Sequence, residues 1–193
     1  VKDPISKETQ DKILGTVKSM ISKIDLILLS DYAKGVLTFE LVQNIIQLAK
    51  SKNKIVLVDP KGLDYSKYNG VDLITPNRLE AELATKSPSG TAPELLAESI
   101  YKNIKIENIL ITLGEDGILL YSDKIIKTLP AVTSEVYDVT GAWDSLISAL
   151  ALSIPASELD YEISVMLGNY AAGVAVRKTG TTAVTVAELK NII

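Results

Sequence analysis

The sequence predicts an α/β fold in which a mostly parallel sheet is flanked by helices, and three observations predict it. Short, continuous apolar runs rich in Ile, Val and Leu recur along the chain. Helical patterns lie between most of them, and polar segments rich in Gly, Asp, Asn and Pro follow them. Continuous runs suit strands buried on both faces, as in a parallel sheet, and alternation with helices gives layers joined by right-handed crossovers.

Taken in order, a helix is expected over about Glu8 to Ile24, then strands at Leu26–Leu29, Ile55–Val58, Leu73–Ile74 and Ile109–Leu113. One helix falls on Phe39, Leu41, Val42, Ile45, Ile46, Leu48 and Ala49, and another on Leu95, Leu96, Ile100 and Ile104. The strand-and-helix order from Leu26 onward is thus β, α, β, β, α, β. Ile118–Tyr121 and Ile125–Leu129 flank Ser122, Asp123 and Lys124, which predicts a hairpin added to a mixed sheet. An apolar helix is expected from Gly141 to Leu152, stopped near Pro155, a second from Glu158 to Arg177, and a short last one from Val186 capped by Thr185. Lys86–Pro93 (KSPSGTAP) is the segment expected to be most flexible.

Composition narrows the chemistry. The 193 residues are 47% hydrophobic, enough for one domain with a core. Twenty basic residues stand against 24 acidic ones, for a net charge of −4, so nucleic acid is not an expected partner. No apolar run approaches the roughly 20 residues that span a bilayer, and no export signal opens the chain, so no membrane partner is expected. The absence of cysteine is compatible with a reducing compartment, and the expected location is the cytoplasm. There is no histidine, which excludes an imidazole base and the usual zinc sets. Carboxylates, lysines, hydroxyls, backbone amides and hard metal ions remain, a list that suits phosphoryl transfer. The chain opens on Val1 and runs directly into an expected helix, so it reads as a fragment or a processed product.

In open α/β sheets, ligands bind beyond the carboxyl ends of the strands. The four strands run into Ser30–Gly35 (SDYAKG), Asp59–Gly62 (DPKG), Pro76–Glu80 (PNRLE) and Gly114–Gly117 (GEDG). Each is also what an ordinary turn requires. Asp138–Asp144 (DVTGAWD) carries most weight. Gly141, Ala142, Trp143 and Asp144 would begin a helix with unpaired N–H groups directed at an anion, and Asp144 would sit close enough to accept a proton from an attacking hydroxyl. The same acid is equally favourable as a first-turn residue of a helix packed in the core. Asn77 could likewise cap a helix starting at Arg78, with Glu80 in its first turn.

These residues resemble the pfkB or ribokinase family. Its signature, DTxGAGD or DVTGAGD, is matched at Asp138, Val139, Thr140, Gly141, Ala142 and Asp144. The resemblance implies that Asp144 is the catalytic base and that the amides of Gly141, Ala142 and Trp143 form an anion hole. Asn77-Arg78-Leu79-Glu80 is similar to the family's NxxE motif, which implies a place near Mg²⁺ and the ATP phosphates, Glu80 acting through water. Ile111–Gly117, with Thr112, Gly114 and Gly117, resembles the strand and turn beside the nucleotide. Asn169–Thr182 is similar to the segment covering the adenine, so Asp138, Thr140 and Asn169 join the implied nucleotide contacts. Small residues Ala171, Ala172, Gly173 and Ala175 suit close helix packing equally well. Lys34 and Lys61 are the cations near the crevice, and each also reads as solvated surface charge.

Within the family, SDYAKGV, VDPKG and TPNRLEAE look most like the kinases of D-glycero-β-D-manno-heptose 7-phosphate, which use ATP and Mg²⁺ on the anomeric hydroxyl. The implied architecture is a ribokinase-like layered fold. On that resemblance residues 1–193 are its carboxyl-terminal portion, and the amino-terminal part, which in the family supplies much of the sugar site and a small β lid, is expected to be missing. A sheet lacking those neighbours exposes an edge, so low stability or self-association into a homo-oligomer is expected. Trp143 stands where the family pattern has its second glycine. An indole there obstructs the phosphoryl group, with an expected loss of about 100-fold or more in rate.

Overall fold

The structure, a computed structural model, describes residues 3–122, 125–132, 138, 141–180 and 182–192. The chain divides into two units, Val1–Thr112 with Tyr121–Ile126, and Leu113–Leu120 with Lys127–Ile193.

In the first unit, α1 (Lys7–Met20) starts where the Ser6 side chain accepts the Thr9 N–H, and it ends in a single 3-10 turn, Ile21–Lys23. It precedes β1 (Leu26–Ser30). Thr38 caps α2 (Phe39–Ser51), which buries Leu41, Val42, Ile45, Ile46 and Ala49 along one face. Then come β2 (Ile55–Asp59) and β3 (Leu73–Ile74), and α3 (Arg78–Thr85) and α4 (Pro93–Asn103) lead to β4 (Asn108–Thr112). Two helices therefore bridge β3 and β4: the one expected from periodicity, and α3, which the capping reading of Asn77 allowed. The left-handed Lys86 ends α3, and Pro93, which needs no N–H partner in a first turn, opens α4. The intervening loop is tied down: the buried Glu82 carboxylate accepts the Gly90 N–H at 2.8 Å.

β1, β2, β3 and β4 pair in parallel as expected, with Ser30 beside Asp59 and Ile74 beside both Val58 and Ile109. Val56, Leu57, Val58, Leu73, Ile74, Ile109, Leu110 and Ile111 are fully buried, each contributing about 1.5–3 kcal/mol. β1 departs from that pattern: it is an outer strand of the sheet, and its Leu28 is 36% exposed. A run of apolar residues did not guarantee burial on both faces.

β5 (Ile118–Ser122) and β6 (Ile126–Leu129) follow β4 in the sheet, whose neighbours run in chain order from β1 to β6. The expected hairpin closes where the Ser122 N–H donates to the Ile125 carbonyl at 2.7 Å. Its tip, Asp123 and Lys124, lies outside the described residues.

The second unit is built on α5 (Ala142–Ala156) and α6 (Tyr161–Ala175), with α7 (Val186–Lys190) capped by Thr185 as expected. α5 begins one residue later than expected, because Gly141 adopts φ +79° and is the cap. It also runs through Pro155. That proline lies within the last turn, where losing one N–H bond and adding a ring clash is tolerable, and Ser157 closes onto Ser153 at 2.8 Å. α6 starts at Tyr161, not at Glu158, since Glu158 and Leu159 hold positive φ and Asp160 supplies the cap. Gly168 lets the two helices touch: a Cβ there would lie 3.3 Å from the Leu146 carbonyl oxygen.

Candidate functional site

The parallel register brings three strand-end loops of the first unit to one edge of the sheet. The Asp31 N–H bonds the Asp59 carbonyl at 3.0 Å, and Thr75 N–H bonds the Val58 carbonyl at the same distance. Beyond them, Pro76 accepts the Thr112 N–H at 3.1 Å and Asn77 bridges to Thr112 in parallel. Asn77 and Thr112, two of the expected nucleotide residues, are thereby neighbours.

Asn77 and Glu80 form a capping box. The Asn77 side chain accepts the Glu80 N–H at 2.9 Å and Glu80 Oε2 accepts the Asn77 N–H at 3.0 Å, so two orphan donors of α3 are satisfied reciprocally. The other Glu80 oxygen, Oε1, accepts from Lys61 Nζ at 2.5 Å. Sequence reasoning missed this pair, since nothing in a spacing of 19 residues announces it. Glu80 raises the Lys61 pKa through the hydrogen bond first and by charge second. The Tyr65 hydroxyl is buried with no hydrogen-bond partner, and burial first, then the charges of Glu80 and Asp59, push its pKa up. Arg78 is half-buried in the first turn of α3, whereas Leu79 is exposed.

A second cluster lies at the end of β1. Asp31 Oδ2 accepts from Lys67 Nζ at 2.5 Å and from the Tyr68 hydroxyl at 2.6 Å, and Oδ1 accepts the Ala33 N–H at 2.7 Å. Burial raises the Asp31 pKa, but these three donors together outweigh it and hold the carboxyl below its ordinary value. Asp31 and Lys67 line a cavity of about 420 Å³ with Gln10, Thr38 and Glu40. Lys34, the other cation near the strand ends, is exposed.

In the second unit, Gly114 opens a 3-10 turn, Gly114–Asp116, closed by the Gly117 N–H onto the Gly114 carbonyl at 3.1 Å. Gly117 has φ +92°, and a Cβ there would lie 2.0 Å from the Leu129 carbonyl oxygen and 2.8 Å from the Pro130 carbonyl carbon; no other residue fits. Asn169, 9% exposed, donates from Nδ2 to the Pro130 carbonyl at 2.8 Å. Gly117 and Asn169 thus meet on the same stretch of backbone. Asp138 Oδ2 accepts the Gly180 N–H at 2.8 Å, and its own N–H bonds the Val176 carbonyl at 3.2 Å, which fastens the start of DVTGAWD to the end of α6.

At the start of α5, Gly141 brings no side chain to cap the helix, and Ala142, Trp143 and Asp144 occupy its first turn. The donors of that turn are the ones a helix leaves unpaired, where an anion is favoured. Ala142 and Trp143 are half-buried, while Asp144 is exposed. Thr140, expected beside them, lies outside the described residues, as do Val139 and Thr181. No group of three or more acidic side chains that could cage a metal occurs among the described residues. Glu80 is one carboxylate, which fits Mg²⁺ that keeps waters and phosphate oxygens as its remaining ligands.

The pfkB family of carbohydrate kinases matches residues 2–188. The chain is 44% identical over 192 residues to Bifunctional protein HldE of Sulfurimonas denitrificans, covering 98% of this chain and 40% of that protein. It is 42% identical over 192 residues to Bifunctional protein HldE of Wolinella succinogenes, covering 97% and 40%. The chain therefore spans about two fifths of the length of these relatives. Among solved structures, phosphofructokinase-2 from Escherichia coli in complex with potassium superposes with a TM-score of 0.78 at 20% identity, over 93% of this chain and 60% of that one. Ribokinase from Thermotoga maritima superposes with a TM-score of 0.75 at 25% identity, over 91% and 58%. The fold is ribokinase-like, and the chain spans about three fifths of the length of these two structures.

Proposed function

We infer, from the premise that this chain belongs to the pfkB family of carbohydrate kinases, that it carries the phosphoryl-transfer end of an ATP-dependent sugar kinase. Residues 1–193 are on this reading the carboxyl-terminal portion of one kinase domain. The acceptor we propose is D-glycero-β-D-manno-heptose 7-phosphate, phosphorylated at its anomeric hydroxyl, on the route to the lipopolysaccharide core. The heptose assignment is supported by the 44% identity to a Bifunctional protein HldE and by the SDYAKGV, VDPKG and TPNRLEAE segments.

The observation that carries the reading is the start of α5. A left-handed glycine cap brings no side-chain cap to the first turn, and an exposed carboxylate stands three residues on. Bound ATP with Mg²⁺ would supply the transferable phosphoryl group and neutralise its charge. Asp144 accepts the proton of the anomeric hydroxyl as its oxygen bonds to phosphorus and the bond to the ADP leaving oxygen breaks. The amides of Gly141, Ala142 and Trp143 hold the charge that develops on the equatorial oxygens. Asn77 positions the Glu80 carboxylate, which would order the metal through water, and Arg78, Leu79, Thr112, Gly114, Gly117, Asp138, Thr140 and Asn169 shape the nucleotide side. No helix among the described residues is long and apolar enough to cross a membrane, and we place the reaction in the cytoplasm, with a homo-oligomer as the working assembly.

The test is heptose-dependent ADP release by a chain of full kinase length carrying either Trp or Gly at 143. A second reading is favoured by Trp143 itself: a kinase relic that holds nucleotide without turning it over. Calorimetric titration with Mg-ATP separates the two, since binding without ADP release in both forms supports the relic, and release with fructose 6-phosphate or ribose but not heptose reassigns the acceptor.

A further inference from the structure

Resting on the reading of Glu80 as the metal-ordering carboxylate, we propose that Lys61 is a place-holder cation, occupying the metal-facing oxygen of Glu80 until a divalent ion displaces it.

The two oxygens of Glu80 are held very differently. Oε2 is part of the capping box and faces the Asn77 N–H, so it cannot leave without unfastening the start of α3. Among the described residues, Oε1 accepts from a flexible ammonium, Lys61 Nζ, at 2.5 Å. Exposure is just as unequal: the Glu80 side chain is 13% exposed and that of Lys61 is 53%. The carboxylate is therefore held by the cap and mostly enclosed, and its other oxygen is engaged by a half-exposed ammonium.

Such a pair contributes little to stability, because a half-exposed ammonium gains modest Coulomb energy and loses rotamer freedom. A hydrated divalent ion brings twice the charge to the same oxygen and pays no side-chain entropy. Exchange is then easy, and it avoids leaving a nearly enclosed carboxylate without a counter-charge in the metal-free protein.

A second observation points to the same place. The Tyr65 hydroxyl is buried, has no hydrogen-bond partner, and feels the charges of Glu80 and Asp59. Buried hydroxyls are nearly always paired. The hydroxyl is thus electrostatically coupled to Glu80, and a change of counter-charge on that carboxylate is felt there.

The experiment measures Mn²⁺ binding by water-proton relaxation, without nucleotide, in the wild-type chain and in Lys61→Met, Lys61→Arg and Glu80→Gln. Lys61→Met should bind Mn²⁺ about threefold more tightly, the size set by the small worth of a half-exposed pair. Lys61→Arg keeps the cation and should match the wild type. Glu80→Gln should lose the site, and Lys61→Met added to it should restore nothing. Circular dichroism confirms that each variant is folded; Lys61 is surface-exposed, so its removal leaves the core untouched. Equal or weaker Mn²⁺ binding by Lys61→Met overturns the proposal, as does a gain that survives in the Glu80→Gln background. Titration of ATP into the wild type with Mn²⁺ present tests the kinase reading separately: no uptake sinks that reading, while the metal-only comparison still decides the exchange.

Discussion

The strand-end cluster of the first unit and the helix start of the second handle polar groups in opposite ways. Asn77, Glu80 and Lys61 satisfy one another, as do Asp31, Lys67 and Tyr68. At α5 the first turn is capped by a glycine and its acid is exposed. The first arrangement holds the fold and must be partly undone to bind anything. The second contributes little to stability and is open to an anion. A residue's cost to stability and its cost to activity should therefore separate between the two units.

The largest effect expected is on the second unit's chemistry. Asp144→Asn in an active chain of full kinase length should lower kcat by about 10³-fold while leaving the urea midpoint unchanged, since the side chain is exposed. A fall in the midpoint that accounts for the lost activity would erase the contrast. Next is the buried pair of the first unit. Lys67→Met strips Asp31 of its cation and should cost about 3 kcal/mol in urea unfolding at pH 7. The sign of the pH dependence follows from the depressed Asp31 pKa. Its stabilisation is complete above the unfolded value of about 3.9 and is lost as pH falls through the lower folded value. Asp31→Asn should accordingly flatten the loss of stability below about pH 4, which urea titrations across that range will show.

Trp143→Gly should raise turnover by about 100-fold while lowering stability by about 1 kcal/mol or more, since glycine replaces a half-buried side chain in the first turn of α5; equal rates for the two forms would remove Trp143 from the account. The smallest effect is at the cap. Asn77→Ala should lower stability by about 1 kcal/mol and also weaken Mg-ATP binding, because the residue serves fold and site together. Calorimetry showing intact nucleotide binding would confine Asn77 to its structural role.

Much of this was legible in the sequence, and the misses have definite causes. Central strands announced themselves because burial on both faces leaves no polar position, whereas the outer β1 carries the same residue types with Leu28 exposed. Side-chain identity reports propensity, and the number of neighbours is set by topology. Helix boundaries slipped where backbone conformation, not periodicity, decides: Glu158 and Leu159 take positive φ without being glycine, and Pro155 sits where a last turn tolerates it. In the site, DVTGAWD and PNRLE stand out because glycine caps and capping boxes are local. The Lys61–Glu80 and Lys67–Asp31 pairs are not local, spanning 19 and 36 residues, and only the register of the strands brings them together. Gly117 and Asn169 were read as nucleotide residues, and the structure also engages both in holding the Leu129–Ala131 backbone.

Trp143 has an optical consequence. It is the one tryptophan among 193 residues, and it lies half-buried in the first turn of α5. Excited selectively at the red edge of the absorption band, the whole emission of the protein comes from the place where the phosphoryl group is expected to arrive. Quenching or a shift of that emission on adding ADP, ATP or inorganic phosphate reads out occupancy of a single known turn, with no label attached, even in a chain that never completes a catalytic cycle.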